Sequence, residues 1–262
     1  MKKHMDRTVL IIPARYHSKR FDGKLLKSFN KKPILWWAIN NSLKMKFADE
    51  CIVATPDSEI KAFTKELPGV SIVDVDGSCG TEKVFRYYIS IDNTFDYYAS
   101  YPADEPVVDP KEVNYVWEQI KQLLDSKADI VTLWTKFYNE EDLRSNLSCK
   151  MVLNRHDRVL YFSRSIIPAT KNGKLLELSR YKKHVGMFFF SKKTFTKCNH
   201  NFWYGWHSDA QDIEGLEQNR FIDAGLQVYA LEIKHIGFGI DKPEQIKQLE
   251  ERLKNDNIQR SG

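Results

Sequence analysis

The stretch that decides the fold is TVLIIPARYHSKRFDGK, residues 8–24. Its first part, Thr8–Ala14, is a continuous apolar run, which is typical of a strand covered on both faces of a parallel sheet. Four cations follow within ten positions, namely Arg15, Lys19, Arg20 and Lys24. Because parallel α/β sheets bind ligands beyond the carboxyl ends of their strands, this order predicts a buried first strand that leads into an anion-binding loop.

The basic loop matches neither of the two common phosphate-binding templates. It is not a GxxxxGK[ST] loop, and it is not a GxGxxG turn, so the P-loop and Rossmann mechanisms do not apply. Several cations close together suit a polyphosphate, whose charge is spread over many oxygens. A solvated surface loop is the alternative that local charge leaves open.

Strand-like and helix-like segments alternate from this stretch up to about residue 135. Further strands are predicted at 51–55, 70–75, 95–101 and 128–135, and helices at 33–43, from 56–58 onward, at 81–91 and after Asp109-Pro110. The last of these helices is the best defined, because its apolar residues recur at helical spacing on one face: Val113, Val116, Trp117, Ile120, Leu123 and Leu124. This alternation predicts an α/β fold with a mainly parallel sheet flanked by helices.

The pattern changes at about Cys149. KMVLN and VLYFS predict a hairpin, HVGMFFFS a further strand, 212–224 a helix, 227–233 a strand and 242–253 a last helix. We therefore expect a single α/β domain over residues 1–258 with a smaller strand-rich insertion at about 149–208.

Composition excludes several classes of protein. The 262 residues carry 40 Lys and Arg against 35 Asp and Glu, and the cations are spread along the chain, which disfavours a nucleic-acid-binding module. No apolar run approaches the roughly 20 residues of a membrane span, and the short N-terminal run lacks a signal-peptide cleavage site. The four cysteines are far apart and form no CxxC, so we expect reduced thiols in a cytoplasmic protein.

Two aspartates are candidates for a magnesium site. Asp104 follows the predicted strand 95–101, where one carboxylate could hold Mg²⁺ bound to substrate phosphates. A polar turn before the next helix would explain it equally well. Asp241 precedes Lys242-Pro243 and could simply cap the last helix.

Other candidates are weak when taken singly. Gly80 and Thr81 belong to a small-residue loop that runs into a helix, where backbone amides could approach a base or ribose. Arg164, His184 and Glu214 carry suitable groups, but a lone His on a strand or a lone Glu on a helix is more often structural.

Seven motifs in order resemble one known family. IPARYHSKRFDGKLL resembles the IPARxxSxRxxGKxL signature of the 3-deoxy-manno-octulosonate (Kdo) cytidylyltransferases, or CMP-Kdo synthetases. The other six then follow in family order over roughly residues 8–250: CGTEKV, ADEPVV, YFSRSIIP, KHVGMFFF, IEGLEQNRFIDAGLQV and GFGIDKPEQIKQLE.

The resemblance implies a Mg²⁺-dependent enzyme that couples CTP to an acidic sugar of the Kdo type for surface polysaccharide synthesis. It implies nucleotide-binding roles for Ala14, Arg15, Arg20, Lys24, Gly80, Thr81 and Asp104. It implies Mg²⁺ ligation by Asp104 and Asp241, which would be catalytic together with Arg15 and Lys24. It places Arg164, His184 and Glu214 around the acceptor, with Arg164 suited to the acceptor carboxylate, and it implies a homodimer built from the insertion.

The acceptor side departs from the family pattern. Pro102-Ala103 stands where relatives have Gln-Gly, Lys83 where they have Arg, and Phe188 where they have Tyr, while aromatic residues fill 202–207. Other acceptors therefore remain open: an amino-substituted Kdo, another acidic sugar, or a non-sugar acid or phosphonate. An inactive nucleotide-binding regulatory protein is the alternative from a different class.

Overall fold

A nine-stranded sheet forms the centre of the molecule. The computed structural model describes residues 6–90, 94–197, 202 and 208–260, with side chains as far as residue 255. The strands are β1 (Thr8–Pro13), β2 (Ser28–Phe29), β3 (Lys32–Pro33), β4 (Glu50–Ala54), β5 (Ser71–Val73), β6 (Tyr97–Ser100), β7 (Ile130–Lys136), β8 (Lys150–Leu153), β9 (Val159–Ser163), β10 (Lys182–Ser191) and β11 (Val228–Glu232). The sheet order is β11-β7-β10-β6-β1-β4-β5, with β8 and β9 attached at β10, and β2 and β3 form a separate ribbon.

Helices connect the strands. They are α1 (Ile34–Ser42), α2 (Ser58–Lys65), α3 (Gly80–Ser90), α4 (Pro110–Ser126), α5 (Glu140–Arg144), α6 (Lys192–Lys197), α7 (Asp209–Glu214), α8 (Asn219–Asp223) and α9 (Glu244–Arg260). The periodic helix predicted after Asp109 is α4, and Asp109 caps it by accepting a hydrogen bond from the amide of Lys111. No helix in the described part of the chain is long and apolar enough to cross a membrane.

The predicted fold class is confirmed. β1 runs parallel to both β4 and β6, and its residues from Val9 to Ile12 are fully buried. Side chains on its two faces enter two different clusters: Leu10 and Ile12 pack in one, and Val9 and Ile11 in the other. The continuous apolar run therefore reflects a strand covered on both sides.

β10 lies deeper in the fold than the sequence suggested. The strand predicted inside the insertion belongs to the central sheet, antiparallel between β6 and β7. The reason is its apolar run, because Phe189 packs in the cluster on one face and Phe188 and Phe190 pack in the cluster on the other. Within 149–208, the described part that extends from the central sheet is therefore mainly the β8–β9 hairpin and the loops around it.

The helix predicted over 212–224 is wrong as a single element. The chain forms α7 and α8 instead, and Gly215 lies between them with φ of 60°. This left-handed conformation ends α7, as glycine commonly does after a helix.

Candidate active site

Two cavities meet at Asp104, beyond the carboxyl ends of β1 and β6. The first has a volume of about 390 Å³, and its lining includes Ala14, Arg15, Lys24, Gly80, Lys83, Pro102 and Phe188. The second has a volume of about 440 Å³, and its lining includes Glu105, Asp142, Ser148, Lys183, His184, Asp241 and Arg252. Asp104 lines both cavities. A ligand in the first cavity could therefore react across Asp104 with a ligand in the second.

A cluster of two cations and two carboxylates marks this junction. Lys24 Nζ lies 2.5 Å from Asp104 Oδ2 and 3.1 Å from Asp241 Oδ1. Arg20 donates to the other oxygen of Asp241 at 2.9 Å. Burial alone would lower the pKa of Lys24, but the charges of Asp104 and Asp241 outweigh it and raise the pKa above its usual value. The fold thus brings together residues 217 positions apart.

The backbone of the basic loop is fixed by Asp57. Its Oδ2 accepts a hydrogen bond of 2.6 Å from the amide of Tyr16, and the carbonyl of Tyr16 accepts from the amide of Gly23. Gly23 has φ of 63°, a conformation that favours glycine. Sequence reasoning read Pro56-Asp57-Ser58 only as a helix start, yet the Asp57 side chain does not cap α2; it holds the loop that carries Arg15, Arg20 and Lys24.

The two aspartates suit a divalent cation. No three carboxylate, His or Cys groups converge on one point among the described residues, but Mg²⁺ commonly takes only one or two protein carboxylates and completes its shell with phosphates and water. Asp104 and Asp241 already converge on a single cation, the ammonium of Lys24. Two carboxylates that share one cation therefore fit the kind of oxygen donor set that Mg²⁺ takes.

Lys83 and Thr81 are buried side chains at the first cavity, where Lys83 forms part of the lining. Lys83 is buried and donates from Nζ to the carbonyl of Ala14 at 3.0 Å; burial lowers its pKa, although Asp57 and Asp76 act in the opposite direction. Thr81 is buried, and its hydroxyl lies 3.2 Å from Glu217 and accepts from Arg220 at 2.8 Å. Gly80 lines the cavity itself, so the predicted small-residue loop does reach it.

Glu105, next to Asp104, lines the second cavity and contacts two other segments of the chain. Its Oε1 accepts from the amide of Gly186 at 3.2 Å, and its Oε2 lies 3.4 Å from His235 Nε2. Burial acts to raise the pKa of Glu105, but His235, Lys183 and His184 outweigh it, and the pKa falls below its usual value. Sequence reasoning assigned a role only to the neighbouring Asp104.

His184 is a half-buried, neutral side chain on the wall of the second cavity. Burial lowers its pKa to about 4. Its Nε2 lies 2.8 Å from Thr132 Oγ1, and that hydroxyl donates to the carbonyl of Met187 at 2.7 Å. Because a hydroxyl has one proton to donate, Nε2 carries the imidazole proton and donates to Thr132.

Arg164 and Glu214 lie together, outside the lining of both cavities. The Arg164 guanidinium donates to the carbonyls of Glu214, Gly215 and Asn146 at 2.7–3.1 Å. The Glu214 carboxylate accepts from the Arg164 amide and the Ser163 hydroxyl. The structure thus joins these two residues to each other, and their predicted contact with an acceptor stays a prediction. Of the aromatic segment 202–207, residues 203–207 lie outside the described part of the chain.

Comparisons with known proteins agree with this geometry. A family described as "Cytidylyltransferase" matches residues 9–256. A 3-deoxy-manno-octulosonate cytidylyltransferase of Bacteroides thetaiotaomicron is 32% identical over 254 residues, covering 94% of this chain and 97% of that protein. Its counterpart in Fusobacterium nucleatum is 29% identical over 95% of this chain and 97% of that protein.

Two solved structures have a fold similar to that of this chain. A CMP:2-keto-3-deoxy-manno-octonic acid synthetase complexed with CTP superposes with a TM-score of 0.81, at 25% identity over 96% of this chain and 100% of that chain. The 4-diphosphocytidyl-2C-methyl-D-erythritol synthase of Anaerococcus prevotii shares the fold alone, with a TM-score of 0.59 and 13% identity over 95% of this chain and 96% of that chain. The sheet, the paired cavities and these matches together place the chain in the cytidylyltransferase family, among the CMP-Kdo synthetases.

Proposed function

We propose that the protein transfers the cytidylyl group of CTP to an acidic sugar of the Kdo type, giving a CMP-sugar and pyrophosphate. The observation that carries the proposal is the junction at Asp104, where the first cavity, lined by Arg15 and Lys24, opens onto the second, lined by His184. CTP would occupy the first cavity, and the acceptor would occupy the second.

The reaction is one displacement at phosphorus. A hydroxyl oxygen of the acceptor forms a bond to the α-phosphorus of CTP, the bond from that phosphorus to the bridging oxygen breaks, and pyrophosphate leaves with the electron pair. The hydroxyl proton passes to solvent. Arg15, Arg20 and Lys24 hold the β and γ phosphates and neutralise the charge that develops on the leaving group.

We propose that Asp104 and Asp241 hold Mg²⁺. When bound, the ion would neutralise phosphate charge and orient the reacting groups. The chain's own contribution is positional: Lys24 and Arg20 keep the two carboxylates at one point, so little rearrangement is needed when the metal arrives with CTP.

The acceptor is the open part of the proposal. Pro102 and Phe188 line the first cavity, but Phe188 also contacts the ring of His184, which lines the second cavity, at 5.2 Å between centroids. An acceptor that reaches the junction from the second cavity would therefore meet this side of the first cavity. An apolar ring and a proline offer no side-chain hydrogen bond to an acceptor hydroxyl. This favours, as the second candidate, a cytidylyltransferase for a related acid: an amino-substituted Kdo, another acidic sugar, or a non-sugar acid or phosphonate.

We also propose a homodimer that works in the cytoplasm in lipopolysaccharide synthesis. β9 pairs only with β8 in the described sheet, and apolar side chains around this edge are exposed: Leu160, Tyr161 and Leu176. Cys51, Cys79 and Cys149 are free thiols, which agrees with a reducing compartment.

A panel of acceptors, incubated with CTP and Mg²⁺ and assayed for pyrophosphate, tests the proposal. Kdo, an amino-substituted Kdo, a sialic acid and a simple 2-keto acid cover the classes above. Turnover of Kdo at rates similar to those of the Bacteroides thetaiotaomicron relative, assayed in parallel, supports the leading proposal. Faster turnover of another member identifies the second candidate, and no pyrophosphate with any member contradicts both.

A further inference from the structure

Lys150 is a fully buried lysine at the start of β8. No carboxylate forms an ion pair with it among the described residues. Its Nζ instead donates to three backbone carbonyls: Ser145 at 2.5 Å, Ser148 at 2.9 Å and Arg164 at 2.8 Å. An ammonium group has three N–H donors, so every donor has a partner, which a buried charge requires.

The three carbonyls come from two segments that are separate in sequence. Ser145 and Ser148 belong to the loop after α5, and Arg164 follows β9. Arg164 binds the same loop from the other direction, because its guanidinium donates to the carbonyl of Asn146 at 2.9 Å. Lys150 and Arg164 together therefore donate hydrogen bonds to three carbonyls of the short loop 145–148.

This loop is also a wall of the second cavity. Ser145, Leu147, Ser148 and Cys149 all line it. The Ser148 hydroxyl donates to Asp142 at 2.6 Å, and Asp142 is in turn ion-paired with Lys183 and Arg252. Two of the carbonyls that bind Lys150 thus belong to the same segment, residues 145–149, that lines the cavity.

We infer that Lys150 is a positioning residue that sets the 145–149 wall of the acceptor cavity without touching the acceptor. The inference rests on the proposed assignment of the second cavity to the acceptor. Losing the ammonium would leave two loop carbonyls and the carbonyl of Arg164 without their donor, and the wall would move or open. Acceptor binding would then weaken, while the CTP cavity, built on other elements, would keep its shape.

The first test compares Lys150→Met with Lys182→Met. Lys182 lies on the neighbouring strand β10, opposite Met151, and lines neither cavity, so it controls for the loss of one lysine charge. We expect Lys150→Met to raise the KM for Kdo by about tenfold or more, since small misplacements at a site are costly. The KM of Lys150→Met for CTP should stay near the wild-type value. The control Lys182→Met should keep the wild-type thermal midpoint.

Hydrogen exchange measures the wall directly, without any acceptor. Peptides covering 144–149 should exchange about tenfold faster in Lys150→Met, while peptides of β1 should not change. An unchanged rate in 144–149, or faster exchange with an unchanged KM for Kdo, would overturn the inference. If the wild-type protein does not turn over Kdo, the proposed function fails, and the exchange rates still decide whether Lys150 holds the wall.

If Lys150→Met does not fold, the inference can be tested in the wild-type protein by measuring how the KM for Kdo depends on pH. Burial lowers the pKa of Lys150 to about 8; Cys149 and Asp142 favour its charged form, and Arg164 and Lys183 oppose it. A neutral amine has two N–H donors for three carbonyls. The KM for Kdo should therefore rise from about pH 7 to about pH 9.5 in wild type and in Lys182→Met, and a flat profile would contradict the inference.

Discussion

Lys24 Nζ lies 2.5 Å from Asp104 Oδ2 and also contacts Asp241, so the basic loop and the acidic positions are already joined before any substrate is present. The ammonium stands where the triphosphate and its metal would have to meet. Binding of CTP with Mg²⁺ would exchange the carboxylate partners of Lys24 for phosphate oxygens. Each part of this cluster can be tested separately.

Lys24→Met should reduce kcat/KM by about 100- to 1000-fold, the usual loss when one preorganised donor to the developing charge is removed. Methionine keeps the length of the buried side chain, so the fold should persist. The measurement is steady-state pyrophosphate release, with Lys27→Met as the control because Lys27 is exposed. Near-normal turnover of Lys24→Met would contradict the phosphate role.

Asp241→Asn should lower the affinity for a divalent cation as well as the rate. An amide supplies no negative charge, and at the proposed site Mg²⁺ would bind through very few protein oxygens. Binding of Mn²⁺ in the presence of a non-hydrolysable CTP analogue, followed by electron paramagnetic resonance, should weaken by about tenfold or more. Glu244→Gln, at the start of α9, is the control; equal Mn²⁺ affinity in Asp241→Asn and wild type would remove Asp241 from the metal site.

Asp57→Ala should raise the KM for CTP with a smaller effect on kcat. The substitution removes the acceptor of the Tyr16 amide, and a hydrogen bond to a charged group contributes about 1.5–3 kcal/mol. The loop would then bind phosphates from a less ordered state. Asp74→Ala, which removes an exposed partner of Lys61, should leave the KM for CTP unchanged; a similar effect of both variants would exclude the positioning role.

The neutral state of His184 predicts how the free energy of unfolding changes with pH. Its pKa is lowered from 6.5 to about 4, so between these values the unfolded chain binds more protons than the folded one. Stability from this residue is present above pH 6.5 and is lost as the pH falls towards 4. Urea unfolding should show that wild type loses about 2–3 kcal/mol more than His184→Asn between about pH 7 and pH 4.5. The exposed His156→Asn should follow wild type, and equal pH slopes for wild type and His184→Asn would show that folding does not lower the pKa of His184.

The exposed edge at β9 predicts the mode of assembly. Leu160 and Tyr161 lie on this edge and are 46% and 37% exposed. If it forms the dimer interface, the double variant Leu160→Glu/Tyr161→Glu should sediment as a monomer where wild type sediments as a dimer. A dimeric double variant would place the interface elsewhere, and Tyr115→Glu, on the exposed face of α4, is the matched control.

Sequence reasoning succeeded where a local pattern has one physical meaning. The buried strand β1 could be predicted because a strand covered on both faces needs continuous apolar residues. The meeting of Lys24 with Asp241 was implied only by family resemblance, since no local pattern links residues 217 positions apart. Asp57 was missed for a related reason: its partner is a backbone amide, which leaves no trace in the sequence.

Another difference came from tertiary context. The strand predicted at 184–191 was placed within the insertion, but its three phenylalanines pack on both faces of the central sheet. The family resemblance places Arg164 at the acceptor, and that role stays a prediction. The sequence could not show that its guanidinium donates to three backbone carbonyls, because backbone partners leave no pattern in the sequence.

The most direct test of the central claim follows the two ends of CTP separately. The protein is incubated with Mg²⁺, Kdo and CTP labelled with ³²P at either the α or the γ phosphate, and the products are separated. If the protein transfers the cytidylyl group, the α label appears in a CMP-sugar and the γ label in pyrophosphate, in equal amounts. Label in CMP without a sugar conjugate, or γ label in inorganic phosphate, would show hydrolysis of CTP and would contradict cytidylyl transfer.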